Sequence, residues 1–514
     1  MNYVVDQSLK KVAKGTGIVF IGMFIGKAIG LFSRIFIARN FTKTEYGIYS
    51  LALVLFSIFV TVSTLGLKEG TARQISYFRV RDKVKVRGII ISSLQIAIVA
   101  SLLLSAILFL LSNIISDNVF HSPRLSKPLK IVSIAIFFSG LIYILTSIFR
   151  GFDRVDVKAY FEDILRNGLF LFSLIFIILF NLSFIVVIYA FTASFIITWI
   201  AYTFYAMRSP LPIKIEKSLA ISPVGKELFF FSLPLLSILM LNMILMWGDN
   251  LLLGYFKTPA EVGLYNSAYP LAVLITFILS STGFIYLPIA SHLYSKNLIE
   301  EIGRTYQILT KWMFSASLPI FFVLFLFPES VLNFLFGPDY ISASLVLRIL
   351  TLGFMIDVFL GLNGHSLVVF GKTKLLMFIC LAGALTNIIL NIILIPPFGI
   401  EGAALASAFS YFTLNLLTSI KLYQLTNIHP FSKNNLKPIG ISIILLILIY
   451  IVSSFINIKF WSLPIILIIY LLGYFILLLL TKSFDKEDIR LMLALEKRLG
   501  LNVTPIKKIL KKFI

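Results

Sequence analysis

Apolar and polar residues alternate along this chain by whole segments rather than by single positions. About fourteen runs of mostly apolar residues recur, each of roughly 20, enough to cross a ~30 Å hydrocarbon layer as a helix. The first six are Gly17–Ile37, Tyr46–Leu67, Ile89–Leu111, Ile131–Ile148, Tyr160–Phe180 and Phe184–Tyr205. Six more follow at Leu228–Leu252, Leu264–Leu287, Ile308–Phe327, Ala343–Phe370, Leu375–Ile395 and Ala403–Leu422, and a final pair at Ile439–Phe455 and Trp461–Leu480. Strands of a membrane barrel would show polar residues at alternate positions, so runs that are apolar on every face predict helices. The pattern therefore predicts an all-α integral membrane protein. The first run is too long for a cleavable signal, contains Lys27 and Arg34, and lacks a small-residue cleavage site. It is expected to remain as a span.

Composition supports lipid rather than water as the solvent. The 514 residues are 59% hydrophobic and 13% charged, where a soluble domain carries roughly 25% charged. A single cysteine, Cys380, excludes a disulfide scaffold, and four scattered histidines offer no i, i+4 metal pair. The net charge of +22 is not read as a nucleic-acid face, because the cations sit between apolar runs. Placing the N-terminus inside leaves only Lys43, Arg124, Lys127, Lys130, Lys257 and Lys459 in outer loops, with most of the 45 cations inside. That asymmetry is the positive-inside pattern, and it predicts an even number of spans with both termini cytoplasmic. The segment Pro505–Ile514 places Ile506, Ile509, Leu510 and Phe513 on one helical face, with lysines elsewhere. It is expected to lie on an anionic membrane surface.

A repeat is visible. The segments FTKTEYGIYSLAL and FKTPAEVGLYNSAY align Gly47 with Gly263, and FRGFDRVDVKAYFEDILRN and VFGKTKLLMFICLAGALTN align Gly151 with Gly371 and Asn167 with Asn387. The concordant offsets predict two six-helix lobes, residues 1–215 and 216–430, and a C-terminal helix pair with a basic tail in 431–514. Because six is even, the lobes would share one orientation, related by a pseudo-twofold along the membrane normal.

Ionisable groups inside the runs are costly and mark cavities or partners. Lys27 sits near the middle of the first run, too deep to snorkel comfortably, and Arg34 lies two turns further on nearly the same face. Arg34 is read either as a cavity residue or as one reaching the outer surface. Gly22, Gly26 and Gly30, spaced by four, invite close packing of a neighbouring helix. Arg166 lies one turn beyond Glu162, which suggests either an ion pair between them or a ligand contact. Asp249, beside Trp247, is either an interfacial or a titrating cavity group, and Asp357 lies mid-run. Lys311 and Arg348 are nearer helix ends, where snorkelling competes with a cavity role. Cations outnumber acids in the runs, so the cavity should favour an anion such as phosphate or pyrophosphate. Gly371-Lys372-Thr373 lacks the upstream glycine of a phosphate-binding loop, and no catalytic or metal motif is present.

The first-run pattern GKAIGLFSRIFIARNFTKTEYGIYSLAL and the pattern GDNLLLGYFKTPAEVGLYNSAYPLA, in a 6+6+2 arrangement, resemble the multidrug/oligosaccharidyl-lipid/polysaccharide exporter superfamily. Within it the chain looks most like the polysaccharide transporters, the Wzx-type O-antigen flippases. The resemblance implies flipping of a polyprenyl- or dolichyl-linked oligosaccharide across the cytoplasmic membrane, with membrane lipids and glycan-assembly enzymes as partners. It implies no catalytic chemistry and no cofactor, with drive from an H+ or Na+ gradient or the membrane potential. By position it gives Lys27 and Arg34 the cavity role, with Arg166, Asp249, Lys311, Arg348 and Asp357 as further candidates. A multidrug or cation antiporter and a lipid II-type flippase are the alternatives. A membrane glycosyltransferase is disfavoured because every outer loop is short, and a purely structural scaffold leaves Lys27 unexplained.

Overall fold

The computed structural model describes residues 2–209, 223–431, 433–455, 462–481 and 483. The basic amphipathic segment 505–514 lies outside the described residues. Each of the fourteen apolar runs is helical over nearly all its described length. Among the described residues ten helices are long and apolar enough to cross a membrane, and Gly440–Ile451 and Ile465–Leu480 are shorter apolar ones. The expected count differs from that tally for local reasons. The fifth run carries Glu162, Asp163 and Arg166 close together near its start, and the eleventh and twelfth join as one kinked helix.

The chain separates into two compact units, Met1–Ser267 with Asn391–Ile400, and Ala268–Leu390 with Glu401–Ile514. The first contains α1 (Asn2–Asn40), α2 (Lys43–Ser63), α3 (Leu67–Phe78), α4 (Lys83–Ile114) and α5 (Ser126–Gly151). It continues through α6 (Asp156–Lys158), a π-helix over Ala159–Leu165, α7 (Arg166–Leu179), α8 (Phe184–Arg208) and α9 (Pro223–Phe256). The division falls inside α10 (Pro259–Val273), and α9 belongs to the first unit because it packs against α2, α3 and α4. Helix α5 is central, with 78% of its apolar window buried, whereas α4 has 17% and turns Val99, Leu102, Leu103 and Leu110 outward. Such outward apolar residues are what a lipid-facing helix needs. Leu67, Ile75, Ile89, Ile90, Ile144, Ile148 and Leu228 form a core that ties α3, α4, α5 and α9 together.

Short polar signals start and stop these helices. Thr42 caps α2 and forms a capping box with Glu45, satisfying two amides that have no helical partner. Thr258 and Glu261 repeat that Thr-x-x-Glu arrangement at α10, with the Glu261 amide 3.4 Å from the Thr258 hydroxyl. Asp82 caps α4 by accepting from the Lys85 amide at 2.8 Å. Helix α2 ends where Leu65 and Gly66 adopt positive φ, 48° and 73°, and the chain re-enters α3 against α9. A Cβ at Gly66 would strike the Ser232 carbonyl oxygen. Gly66→Ala is therefore expected to destabilise the protein by about 2 kcal/mol, from left-handed strain and the clash together. Gly30→Ala, with nothing within 4 Å, should leave the thermal midpoint in detergent unchanged or slightly raised. Equal midpoints for the two variants would refute the close approach.

The second unit holds the rest of α10, α11 (Thr276–Ser295), α12 (Ile299–Leu326), α13 (Pro328–Leu335), α14 (Ser344–Leu360) and α15 (Asn363–Val369). Most of α16 (Thr373–Thr426), α17 (Lys433–Phe455) and α18 (Leu463–Leu480) complete it. Pro270 lies in the last turn of α10, consistent with a helix that stops there. Helix α16 is kinked at Gly399 (φ 57°, ψ −129°), just after Pro396 and Pro397. The C-terminal pair packs on α12: Tyr470 stacks on Phe322 at 4.4 Å and the Tyr474 hydroxyl donates to Ser315 Oγ at 3.1 Å.

Candidate functional site

The small residues of α1 do what their spacing suggests. A Cβ at Gly22 would collide with Ala159, and one at Gly26 would lie 3.0 Å from the Asp163 carbonyl oxygen. α1 thus lies backbone-close on the π-helical stretch. Gly30 takes no part. Lys27, one position round from Gly26, is exposed. Arg34 is half-buried and hydrogen-bonds the Tyr46 hydroxyl, within electrostatic reach of Tyr49. Tyr46 in turn donates to the Asn266 carbonyl oxygen at 3.0 Å.

The fifth run opens with a π-helix over Ala159–Leu165, and Glu162 does not pair with Arg166 there. Buried Glu162 instead accepts from the Thr146 hydroxyl, to which Tyr202 donates at 3.2 Å. Asp163 pairs with Lys158 at 3.0 Å. Arg166 donates to Asn167 Oδ1 at 2.9 Å and lies over the Phe195 ring at 5.0 Å. Asn167 Nδ2 donates to the Asp163 carbonyl oxygen at 2.8 Å, and more weakly to that of Gly26. The ion pair expected at Glu162 and Arg166 is absent among the described residues. Arg34 and Arg166 both act electrostatically on Tyr49, which stacks on Phe170. Neither guanidinium has a carboxylate partner among the described residues.

Asp249 is fully buried within the protein. Tyr265 donates to one of its oxygens at 2.5 Å and Asn391 to the other at 2.8 Å. Asn266 joins the same region by donating to Asn250. A carboxylate withdrawn from solvent needs such donors. Of the repeated glycines, Gly47 and Gly263 meet: a Cβ on Gly47 would strike the Pro259 carbonyl oxygen, and one on Gly263 the Lys43 carbonyl oxygen.

The second unit carries the other candidates. Asp357 accepts from Asn415 Nδ2 at 2.7 Å, and Asn363 Nδ2 donates to Asn415 Oδ1 at 3.1 Å and to the Ser419 hydroxyl at 3.0 Å. Lys311 is buried and reaches the Ser483 carbonyl oxygen at 3.4 Å, just beyond α18. A cation there complements the carbonyl-rich end of that helix. Arg348 pairs with Glu329 at 3.0 Å and donates to the Phe325 carbonyl oxygen. The seven residues singled out in the sequence thus fall into two groups, Lys27, Arg34, Arg166 and Asp249 in one unit and Lys311, Arg348 and Asp357 in the other. The polar partners Tyr46, Tyr49, Tyr265, Asn391 and Asn415 were not singled out. The repeated Gly-x-Tyr segments were the one signal for three of them.

Residues 12–293, more than half of the chain, match the family profile described as polysaccharide biosynthesis protein. The chain belongs to that family. Residues 234–393 also match the profile described as MatE, and this polysaccharide biosynthesis protein is a transporter of the multidrug/oligosaccharidyl-lipid/polysaccharide exporter superfamily. It is similar to an uncharacterised membrane protein of Methanocaldococcus jannaschii, at 25% identity over 79% of this chain and 82% of that one. It is also 28% identical to Agl15 of Haloferax volcanii, described as a probable low-salt glycan biosynthesis flippase, over 32% of this chain and 35% of that one. The fold is that of the lipid II flippase MurJ in an inward closed conformation, with a TM-score of 0.68 at 18% identity, covering 89% and 97% of the two chains. The family member is therefore a multi-pass membrane transporter, and its functionally named relatives are flippases and transporters.

Proposed function

We propose that this transporter flips a polyprenyl- or dolichyl-linked oligosaccharide from the cytoplasmic to the outer leaflet by alternating access, in cell-surface glycan assembly. The observation that carries this reading is the pair of half-buried guanidiniums, Arg34 and Arg166, that both act electrostatically on Tyr49, with Lys27 two turns before Arg34 on nearly the same face of α1. Guanidinium and ammonium groups held at membrane depth favour the phosphates of a lipid-linked glycan, while aromatic faces suit its sugars. The lipid tail stays in hydrocarbon, so the protein has only to lower the transfer cost of the headgroup. Two six-helix lobes, 1–215 and 216–430, would rock about their pseudo-twofold, and both termini would face the cytoplasm as the loop charges suggest.

A second reading, a multidrug or cation antiporter, is favoured by the MatE match over residues 234–393 and by the two hydrogen-bonded carboxylates Asp249 and Asp357. Either acid would serve coupling to an H+ or Na+ gradient in both readings. Reconstitution into liposomes separates them. The expected result is protection of a fluorescent lipid-linked oligosaccharide from an external glycosidase, changing with time only in protein-containing vesicles. Efflux of a cationic dye without any movement of the lipid-linked glycan would favour the antiporter, and movement of lipid II alone the peptidoglycan-precursor alternative.

A further inference from the structure

A recess of about 470 Å³ lies where α3, the end of α5 and α9 meet, lined by Glu69, Ala72, Arg73, Ser76, Arg150 and Phe231. Small residues bring the three helices together around it. A Cβ at Gly70 would strike the Ser232 hydroxyl, and one at Gly151 would meet Ile75 at 2.7 Å and the Ala72 carbonyl oxygen at 3.2 Å. The walls are cationic. Arg150 forks onto both oxygens of Glu69, with the two side chains 35% and 46% exposed. A pair this exposed is screened by salt and open to competition from other anions. Arg73 lies over the Phe231 ring at 4.6 Å, and no carboxylate pairs with it among the described residues. A guanidinium stacked by its face keeps its N–H edge free for an acceptor lying in its plane. The Ser76 hydroxyl makes no hydrogen bond among the described residues and adds a donor beside it.

We propose that this recess is a docking site for a phosphate or diphosphate group, in which the ligand displaces Glu69 from Arg150 and is held between the Arg150 and Arg73 guanidiniums. Glu69 acts as a stand-in anion. It keeps Arg150 oriented while the site is empty and gives way to a group of higher charge that can accept from both forks. The phosphate could be borne by a lipid, which rests on the flippase reading above, or be free in solution. The site itself needs only the shared phosphoryl chemistry.

Binding can be tested without transport. The protein in phosphatidylcholine nanodiscs is titrated with farnesyl diphosphate, farnesol and inorganic pyrophosphate, and affinities are read by thermophoresis. Arg73→Gln/Arg150→Gln is expected to weaken farnesyl diphosphate binding by at least about tenfold, the loss of charge-assisted bonds, and to leave farnesol unaffected. Glu69→Gln should tighten binding severalfold, since no counter-ion has to leave. Arg73→Gln alone, which keeps the Glu69–Arg150 pair, should weaken it by a smaller factor and decides the matter if the double variant fails to fold. Pyrophosphate binding as tightly as farnesyl diphosphate, with the same dependence on both arginines, supports the site and assigns it to free phosphate. Much weaker pyrophosphate binding supports it and assigns it to a lipid headgroup. Wild-type affinity for both phosphates in the arginine variants would overturn the proposal. Absence of glycan flipping in liposomes, with these binding effects intact, would remove the flippase reading and leave the docking site standing.

Discussion

Lys27→Ala is expected to reduce flipping of a lipid-linked oligosaccharide in reconstituted liposomes by about 10- to 150-fold, the worth of one charge-assisted hydrogen bond at roughly 1.5–3 kcal/mol. The same variant should reach the membrane at normal levels and unfold at nearly the same temperature. The two halves of this expectation have different sources. The helix is held through Gly22 and Gly26, which abut Ala159, Asp163 and Asn167, while Lys27 is exposed on an adjoining face. Truncating an exposed side chain usually changes stability by no more than about 0.5 kcal/mol. On the role proposed for Lys27, loss of the cation acts instead on the transported state alone. Lys27→Arg should restore part of the rate, since charge is kept and only the geometry changes. Normal flipping by Lys27→Ala would remove the role given to this residue and leave the fold assignment untouched.

The helical architecture was legible because membrane spans are long, continuous and apolar on all faces, and the backbone has no other way to satisfy its polar groups in lipid. The close packing at Gly22 and Gly26 was signalled by their four-residue spacing, though not which residues they meet. Spacing left Glu162 and Arg166 with two readings, an ion pair or a ligand contact. Nothing in AYFEDIL reveals that Glu162 accepts instead from Thr146, 16 residues upstream, with Tyr202 behind it. Asp249 presented a comparable problem. Trp247 next to it suggests a membrane interface, but the donors that allow its burial, Tyr265 and Asn391, come from 16 and 142 residues away. Hydropathy flags costly residues one at a time. It says nothing of the neutral amides and phenols that make them tolerable.

Gly47→Val or Gly263→Val is expected to shift the protein out of the conformation described here and to cut transport by at least tenfold, though neither residue is ionisable or touches a proposed ligand. The two glycines stand at equivalent places in the repeat, and their contacts are reciprocal. The Gly47 position faces the Pro259 carbonyl oxygen, and Gly263 faces that of Lys43, with Lys43 and Pro259 themselves equivalent in the same register. Thr42 with Glu45 and Thr258 with Glu261 place like side chains at the two helix starts, the threonine hydroxyl accepting from the glutamate amide in each. Two copies of one helix start thus lie backbone to backbone, which only residues without a Cβ allow. On the orientation and lobe arrangement proposed above, this contact would close the outer side. A side chain there would cost the closed arrangement about 2–3 kcal/mol, enough to move a two-state equilibrium about 30- to 150-fold toward outward opening. The shift is measurable with a reporter thiol at buried Ser50, in a background where Cys380 has been replaced by serine. Ser50→Cys should react slowly with an impermeant maleimide in the otherwise unaltered protein and at least ten times faster when Gly47→Val is added. Equal labelling rates, with transport and thermal midpoint preserved, would show that the glycine contact is a packing detail and that closure on this side depends on other residues.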